Sequence, residues 1–276
     1  MQSHVRPQTL DEAVAALRSG SARVLAGGTD LYPAAGAQLS GRILDLTGIS
    51  DLRGIAAIGG GMRIGAATTW TAIAEADLPP ALRALQQAAL QVGGRQIQNA
   101  GTLGGNLCNA SPAADGVPPL LAADAEVELL SPAGARRLPL STFLTGPRHT
   151  ALRPGELLVA VHIPSSGLTG RSTFLKLGAR SHLVISIVMV AARIVLDGGR
   201  VANAAIAVGS CSGTAQRLPL VEASLIGATP HEAARRIRPA DVAAALSPID
   251  DIRATAVYRL TAATELVTRA VVEVTR

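Results

Sequence analysis

The sequence predicts an α+β protein in two parts, and three observations carry that reading. Two strand-like pairs are joined by glycine turns, Gly59-Gly60-Gly61 and Asp197-Gly198-Gly199, which are hairpin signals. Amphipathic helical stripes with cap residues of their own stand among the strands. A short polar stretch bearing Gly167 and Gly170, residues 165–170, separates an N-terminal from a C-terminal part.

Taken in order, Thr9-Leu10-Asp11-Glu12 is a capping box and Gly20 a stop, so residues 10–19 form a helix. A strand at 23–26 runs into the glycine loop Ala26-Gly27-Gly28-Thr29-Asp30, and a second, 42–46, places Ile43, Leu44 and Leu46 in the core. The first hairpin joins 55–58 to 62–66. Thr68 or Thr69 caps a helix to about residue 76. Pro79-Pro80 opens another, 80–92, with Leu82, Leu85, Ala89 and Val92 on one side. Residues 92–121 show neither strand alternation nor a helical stripe and read as a long ordered loop; loops of this length are uncommon unless they do a job. Strands follow at 125–130, 136–140 and 156–163. In the C-terminal part 171–178, 183–196 and 200–208 read as three antiparallel strands. Helices are expected at 218–225, 231–236, 240–246 and 254–274, the last with Val257, Leu260, Ala263, Leu266 and Val267 at helical spacing.

Composition narrows the function. Hydrophobic residues are 48% and aromatics 2%, so the core is built of Ala, Val, Leu and Ile. No apolar run approaches the roughly 18 residues of a membrane span. The N-terminus shows no signal-peptide pattern. Cys108 and Cys211 are too few for a disulfide framework and have no CxxC spacing. Cytoplasmic residence is the simplest fit. The net charge of +5 comes from scattered arginines with one short cluster, Arg235, Arg236 and Arg238, and Lys176 is the only lysine. That is no basic stripe with stacking aromatics, so nucleic-acid binding is not expected. The five histidines have no metal-ligand spacing, and no metal site is expected.

The chemistry concentrates in two glycine-bearing segments, 26–30 and 92–121. Glycine admits a ligand to contact with the backbone, and successive N–H groups in such turns hold anions, phosphate above all. Thr102, Asn106, Asn109 and Ser111 add neutral hydrogen-bonding groups. The two loops are read as facing each other across one extended phosphate-containing cofactor. Neither GxGxxG nor GxxxxGK[ST] occurs. Each feature alone has a plainer reading: Gly27-Gly28 as a tight turn, Asp115 as a helix N-cap, Cys108 as a small buried apolar residue, Lys176 as a surface residue at a strand end.

Jointly, AGGTDL (residues 26–31), RQIQNAG with TLGGNLCNASPAAD (95–115), PGELLVAVHIP (154–164), FLKLGARSHLVIS (174–186) and DIRATAVYR (251–259) resemble the FAD-binding middle subunit of molybdenum hydroxylases, the xanthine dehydrogenase and carbon monoxide dehydrogenase group. The likeness covers nearly the whole chain in order, and NLCNASPAAD leans toward the xanthine-dehydrogenase-like side. It implies an FAD-binding domain of the vanillyl-alcohol-oxidase (PCMH) type over 1–165, in subdomains of about 1–53 and 54–165. A C-terminal domain of the CO-dehydrogenase-flavoprotein type follows over 171–276, a three-stranded antiparallel sheet with a helical bundle.

The resemblance also implies roles. Val24, Leu25, Ala26, Gly27, Gly28, Thr29, Asp30 and Leu31 would wrap the FAD pyrophosphate from one side. Thr102, Leu103, Gly104, Gly105 and Asn106 would do so from the other, through backbone N–H groups. Val92, Ser111 and Leu158 match cofactor-contacting positions. Asp115 would accept from ribityl or ribose hydroxyls, and Lys176 matches a flavin-proximal lysine. Partners would be a small [2Fe-2S] subunit and a large molybdenum-cofactor subunit, with NAD, oxygen or another acceptor taking the electrons. Two cysteines exclude a four-cysteine cluster on this chain. No catalytic acid or base is expected. The competing readings are a stand-alone flavin oxidoreductase of the same fold, such as the cell-wall enolpyruvyl reductase, and a non-catalytic assembly scaffold.

Overall fold

The computed structural model describes residues 3–18, 20, 22–36 and 39–276. Three short strands, β1 (Ser3–Val5), β2 (Arg23–Leu25) and β3 (Arg42–Asp45), form a parallel sheet in the order β1-β3-β2. Between β1 and β2 runs α1 (Leu10–Arg18), whose Ala13 and Val14 are buried. Its cap forms as read from the sequence, with one change. The Glu12 N–H donates 3.2 Å to the Thr9 hydroxyl, but the Glu12 carboxylate takes the N–H of Gln8, at 2.8 Å, one residue before the cap. Residue 19, the last of the predicted helix, lies outside the described residues. Ile43, Leu44 and Leu46 are buried as expected. The glycine loop after β2 leads into α2 (Leu31–Ala34).

The hairpin β4 (Ile55–Ile58) and β5 (Gly61–Gly65) opens a five-stranded antiparallel sheet. Thr69, rather than Thr68, caps α3 (Trp70–Glu75), its hydroxyl accepting the Ala72 N–H. A 3-10 turn at Pro80–Leu82 precedes α4 (Arg83–Gln91).

Residues 92–121 are not a loop. They contain α5 (Arg95–Ala100), α6 (Leu103–Asn109) and α7 (Val117–Ala122). A stripe is invisible there because each helix is only one to two turns long, and every residue of α7 is buried, so it has no polar face. Gly104 is not a turn residue either: it lies inside α6, and a Cβ on it would stand 2.8 Å from the Ala66 carbonyl oxygen. It is a contact point between helix and sheet.

The sheet is completed by β6 (Glu126–Ser131), β7 (Gly134–Pro139) and the central β10 (Leu157–Pro164), in the order β4-β5-β10-β6-β7. Before β10 come α8 (Leu140–Phe143) and a small pair, β8 (Leu144–Gly146) and β9 (His149–Thr150).

In the C-terminal part β11 (Arg171–Leu177), β12 (Val188–Asp197) and β13 (Arg200–Gly209) pair antiparallel as predicted, and β14 (Gln216–Arg217) adds two residues at the edge. The predicted start of β12 at Leu183 is too early. Leu183 has φ +51°, and Leu183 and Ile185 are 55% and 63% exposed, so an apolar run continues through a bend before pairing begins. Two helices pack on this sheet, α9 (Pro219–Leu225) and α12 (Ala256–Thr275), and α10 (Pro230–Ala233) and α11 (Pro239–Ala243) pack against α12. In α12 the inward face is Arg259, Ala263, Val267, Ala270, Val271 and Val274, while Val257 is 75% exposed. The first turn is rotated from the expected register because Arg259 takes the inward position.

A seam of small side chains joins the two parts. Ala84 and Ala88 of α4 and Ala122 of α7 pack with Phe174, Met189, Ala191 and Ala205 of the C-terminal sheet. Ser172 and Gln87 stitch α4 to β11, accepting the Ala84 and Phe174 N–H groups at 2.9 and 2.7 Å. The buried Arg193 guanidinium donates to the last-turn carbonyl of Ala122 at 2.7 Å, closing the C-terminus of α7.

Asp251, just before α12, accepts from Arg253 at 2.5 Å and from Arg259 at 2.7 Å. The Arg253 hydrogen bond, with help from Arg259 and local N–H groups, holds its carboxyl well below the usual range. A depressed carboxyl stabilises the fold above the unfolded-state value and loses that contribution as pH falls below about 4 toward the folded value. Acid unfolding should therefore be steeper in the wild type than in Asp251→Asn, followed by circular dichroism from neutral pH downward.

Candidate functional site

Three pieces of backbone meet at one cleft of about 780 Å³: the loop after β2, the 92–115 segment, and the bend at 183–185 before β12. That volume lies in the upper part of the roughly 300–1,000 Å³ range of small-molecule and cofactor sites. The glycines bring the walls together. A Cβ on Gly27 would lie 1.9 Å from the Ala100 carbonyl oxygen at the end of α5, so the two glycine segments touch backbone to backbone here. Gly94, at the start of α5, lies against Leu183 across the cleft: a Cβ there would be 3.1 Å from the leucine Cδ2.

Val24, Ala26, Gly27, Gly28, Thr29, Asp30 and Leu31 line one side. Val92, Thr102, Gly104, Gly105, Asn106, Ser111 and Asp115 line the other, and Leu158 comes from β10. Leu25 and Leu103 do not reach the cleft. Strand alternation turns Leu25 into the core while Val24 faces out, and Leu103 is fully buried at the first position of α6. Lys176 sits behind the wall. Its side chain is 6% exposed, and its ammonium donates 2.7 Å to Asp115 Oδ2 and 3.3 Å to the Gln91 carbonyl. It is thus no surface residue, and Asp115 is no helix cap: α7 is capped at Gly116 without a side chain. Ser186 donates to the other oxygen, Asp115 Oδ1, at 2.9 Å. Burial pushes the Asp115 carboxyl up, with Lys176 and then Ser186 pulling against it.

The expected source of anion-binding N–H groups changes. On the α6 side they are engaged within the protein. The N–H groups of Leu103 and Gly104 donate to Thr68 and Ala66 carbonyls at 3.0 and 2.7 Å, and those of Gly105 and Asn106 to the hydroxyl and carbonyl of Thr102 at 3.1 and 3.0 Å. Once residues 102–109 coil into a helix, its first donors need caps, and Thr102 and the turn after β5 supply them. The N–H groups of Gly27, Gly28, Thr29 and Asp30, by contrast, have no hydrogen-bond partner among the described residues. Gly28 has φ +71°, which a turn of consecutive N–H groups around an anion requires. The α6 side offers an acceptor instead: Asn106 Oδ1 is buried without a partner. A cofactor with an anionic centre and hydroxyl or amino donors fits this arrangement.

Several lining residues escaped the sequence reading. Arg148 is the one Lys or Arg side chain on the lining among the described residues, and it donates to the Asn109 carbonyl and side chain. Glu156, also on the lining, is held by Arg136 through two bonds of 2.7 and 2.8 Å. Nothing local marks either one. Cys108 differs from expectation: it faces the cleft with exposed surface. The protein still surrounds it closely enough to push its thiol up to about 12, so it is a neutral thiol and a poor nucleophile. Its position had a signal, since Thr102 as a cap with Gly105, Cys108 and Asn109 at i+3 and i+4 spacing describes one helix face.

Comparison with known proteins gives the same picture along the whole chain. Residues 1–166 match the family described as the FAD binding domain in molybdopterin dehydrogenase, and residues 173–274 match the CO dehydrogenase flavoprotein C-terminal domain. A putative xanthine dehydrogenase FAD-binding subunit of Escherichia coli is 37% identical over 222 residues, 77% of this chain and 75% of the relative. The carbon monoxide dehydrogenase medium chain of Afipia carboxidovorans is 32% identical over 275 residues, covering 96% of this chain and 94% of the relative. The structure of reconstituted CO dehydrogenase from Oligotropha carboxidovorans superposes with a TM-score of 0.90 at 31% identity, over 100% of this chain and 97% of that one.

Proposed function

The chain belongs to the family of FAD-binding medium subunits of molybdenum hydroxylases, and we propose that it is the electron-transfer subunit of a heteromer. Its donor would be a small partner subunit with [2Fe-2S] clusters. Its acceptor would be NAD, oxygen or another oxidant, and the substrate would be oxidised at a molybdenum cofactor on a large partner. When bound, the flavin supplies a carrier that exchanges electrons singly with iron–sulfur centres and in pairs with a final acceptor.

The rest is the work of this chain's residues. The observation that carries the reading is the cradle at Gly27–Asp30 on the cleft lining, whose N–H groups have no hydrogen-bond partner among the described residues. These groups bind the pyrophosphate. Asn106 Oδ1 and the Asp115 carboxylate accept hydroxyl or amino donors; a carboxylate has about four lone-pair sites, so two remain beside its bonds to Lys176 and Ser186. Val92 and Leu158 exclude water from the apolar part, with Ser111 adding a polar edge. Lys176 pulls the buried Asp115 carboxyl back toward its charged form, against burial, and acts through it. The cofactor-binding unit is assigned to 1–165 and the C-terminal unit to 171–276. Two free thiols fit a reducing cytoplasm, and no helix among the described residues is long and apolar enough to cross a membrane.

The test is the visible spectrum of the purified protein, alone and co-purified with its partners, after FAD addition and removal of free flavin. A retained flavin spectrum is expected. A co-purified complex that leaves this chain colourless would overturn the reading in favour of a scaffold.

A further inference from the structure

Behind the Asp115 wall lies a buried arginine that the cofactor reading does not use. Arg259, on the first turn of α12, is 1% exposed. One end of its guanidinium donates to the carbonyls of Ile187 and Ser210 at 2.6 and 2.9 Å, and the other to Asp251 Oδ1 at 2.7 Å. Each of those carbonyls belongs to a segment that leads to the cleft. The Ser210 N–H donates 3.0 Å to the Pro112 carbonyl, and Ser210 has φ +63°. Next to Ile187, Ser186 donates its hydroxyl to Asp115 and accepts Arg253 Nη1 on its carbonyl at 3.1 Å. Arg253 is itself fixed to Asp251. The two routes from Arg259 thus converge on the turn from Ser111 to Asp115.

We infer that Arg259, braced by Asp251 and Arg253, is a positioning residue that sets the cleft wall at Ser111–Asp115, and through it the hold on FAD. Stability alone does not ask for this group. A buried ion pair is often no better than an apolar replacement of like volume, and here Arg259 Nε is left buried without a partner. What the guanidinium provides is a rigid fork reaching two carbonyls and a carboxylate at once, which neither lysine nor an apolar side chain can do. The inference rests on the FAD reading above.

The test uses the full chain co-purified with its partners, with FAD itself as the probe. Three variants are compared: Arg259→Met; Arg253→Gln, which removes one partly exposed brace; and Arg193→Met, a buried arginine in the middle of β12 that bonds neither Arg259 nor Asp115, as a stability control. Both variants of the network should weaken FAD binding by about three- to thirty-fold and alter the visible circular dichroism of the bound flavin. Arg193→Met should lower Tm without either change. In a Ser186→Ala background the Arg253→Gln effect on FAD should shrink, because the route through the Ser186 hydroxyl is gone and only the one through Asp251, Arg259 and Ser210 remains. Arg253→Gln keeps the test alive if Arg259→Met fails to fold. Unchanged FAD affinity and dichroism in a folded network variant would overturn the positioning role and leave the function standing. A wild-type complex that takes up no FAD would overturn both.

Discussion

Lys176→Met should cost about 3–5 kcal/mol of folding stability, read as a lowered urea midpoint. Lys176 and Asp115 side chains are 6% and 9% exposed and 2.7 Å apart. Removing the ammonium leaves a carboxylate in a nearly dry place with Ser186 as its remaining side-chain donor. The effect carries a pH signature. Burial already places the folded Asp115 carboxyl above its usual value, so the native state keeps its proton to higher pH than the unfolded chain does. Stability from this group is then greatest below the unfolded value and falls as pH rises through the folded one. Loss of Lys176 raises that carboxyl further. The deficit should be small at about pH 3 and below, where both states are mostly protonated, and full near about pH 7. A deficit of equal size at both would show that the pair is not what the substitution breaks.

Gly27→Ala should abolish the meeting of the two glycine segments. Its Cβ would sit 1.9 Å from the Ala100 carbonyl oxygen and 2.6 Å from the carbonyl carbon. Both are backbone atoms, so no rotamer relieves the clash and the walls must part. Overpacking typically costs about 1–3 kcal/mol, and a backbone clash this close stands at the upper end. Where the whole of it falls on the FAD complex, affinity drops about a hundred-fold. Titration of the partnered complex by flavin fluorescence measures it. Gly59→Ala is the control: it has open space around it and should stay within about 0.5 kcal/mol of wild type. Equal FAD affinity in the two variants would remove Gly27 from the site.

Much of this architecture is written in local patterns. Thr9 and Thr69 act as caps, Gly59-Gly60-Gly61 and Asp197-Gly198-Gly199 turn hairpins, and Ile43, Leu44 and Leu46 are buried as their spacing implies. Apart from residues 251–259, the segments that carry the family likeness also line one cleft, with Leu25, Leu103 and Lys176 standing off its surface. Alternation explains Leu25, since a two-residue period sends neighbours to opposite faces.

Other features were out of reach because they depend on what meets what. The helices in 92–121 are too short to show a period, and tertiary contact stabilises them rather than propensity. Whether Gly104 or Gly28 offers a free N–H depends on the carbonyl of Ala66, 38 positions away, taking one and nothing among the described residues taking the other. Lys176 finds Asp115 across 61 positions, and Arg259 reaches Ser210 across 49. The sequence by itself determined most of the helices, strands and glycine turns outside residues 92–121, and which family they compose, because caps, alternation and φ preferences act over a few residues. Only the tertiary structure decided which donors remain free for a cofactor and which buried charges hold the wall, because hydrogen bonds and ion pairs are completed between segments that the fold alone brings together.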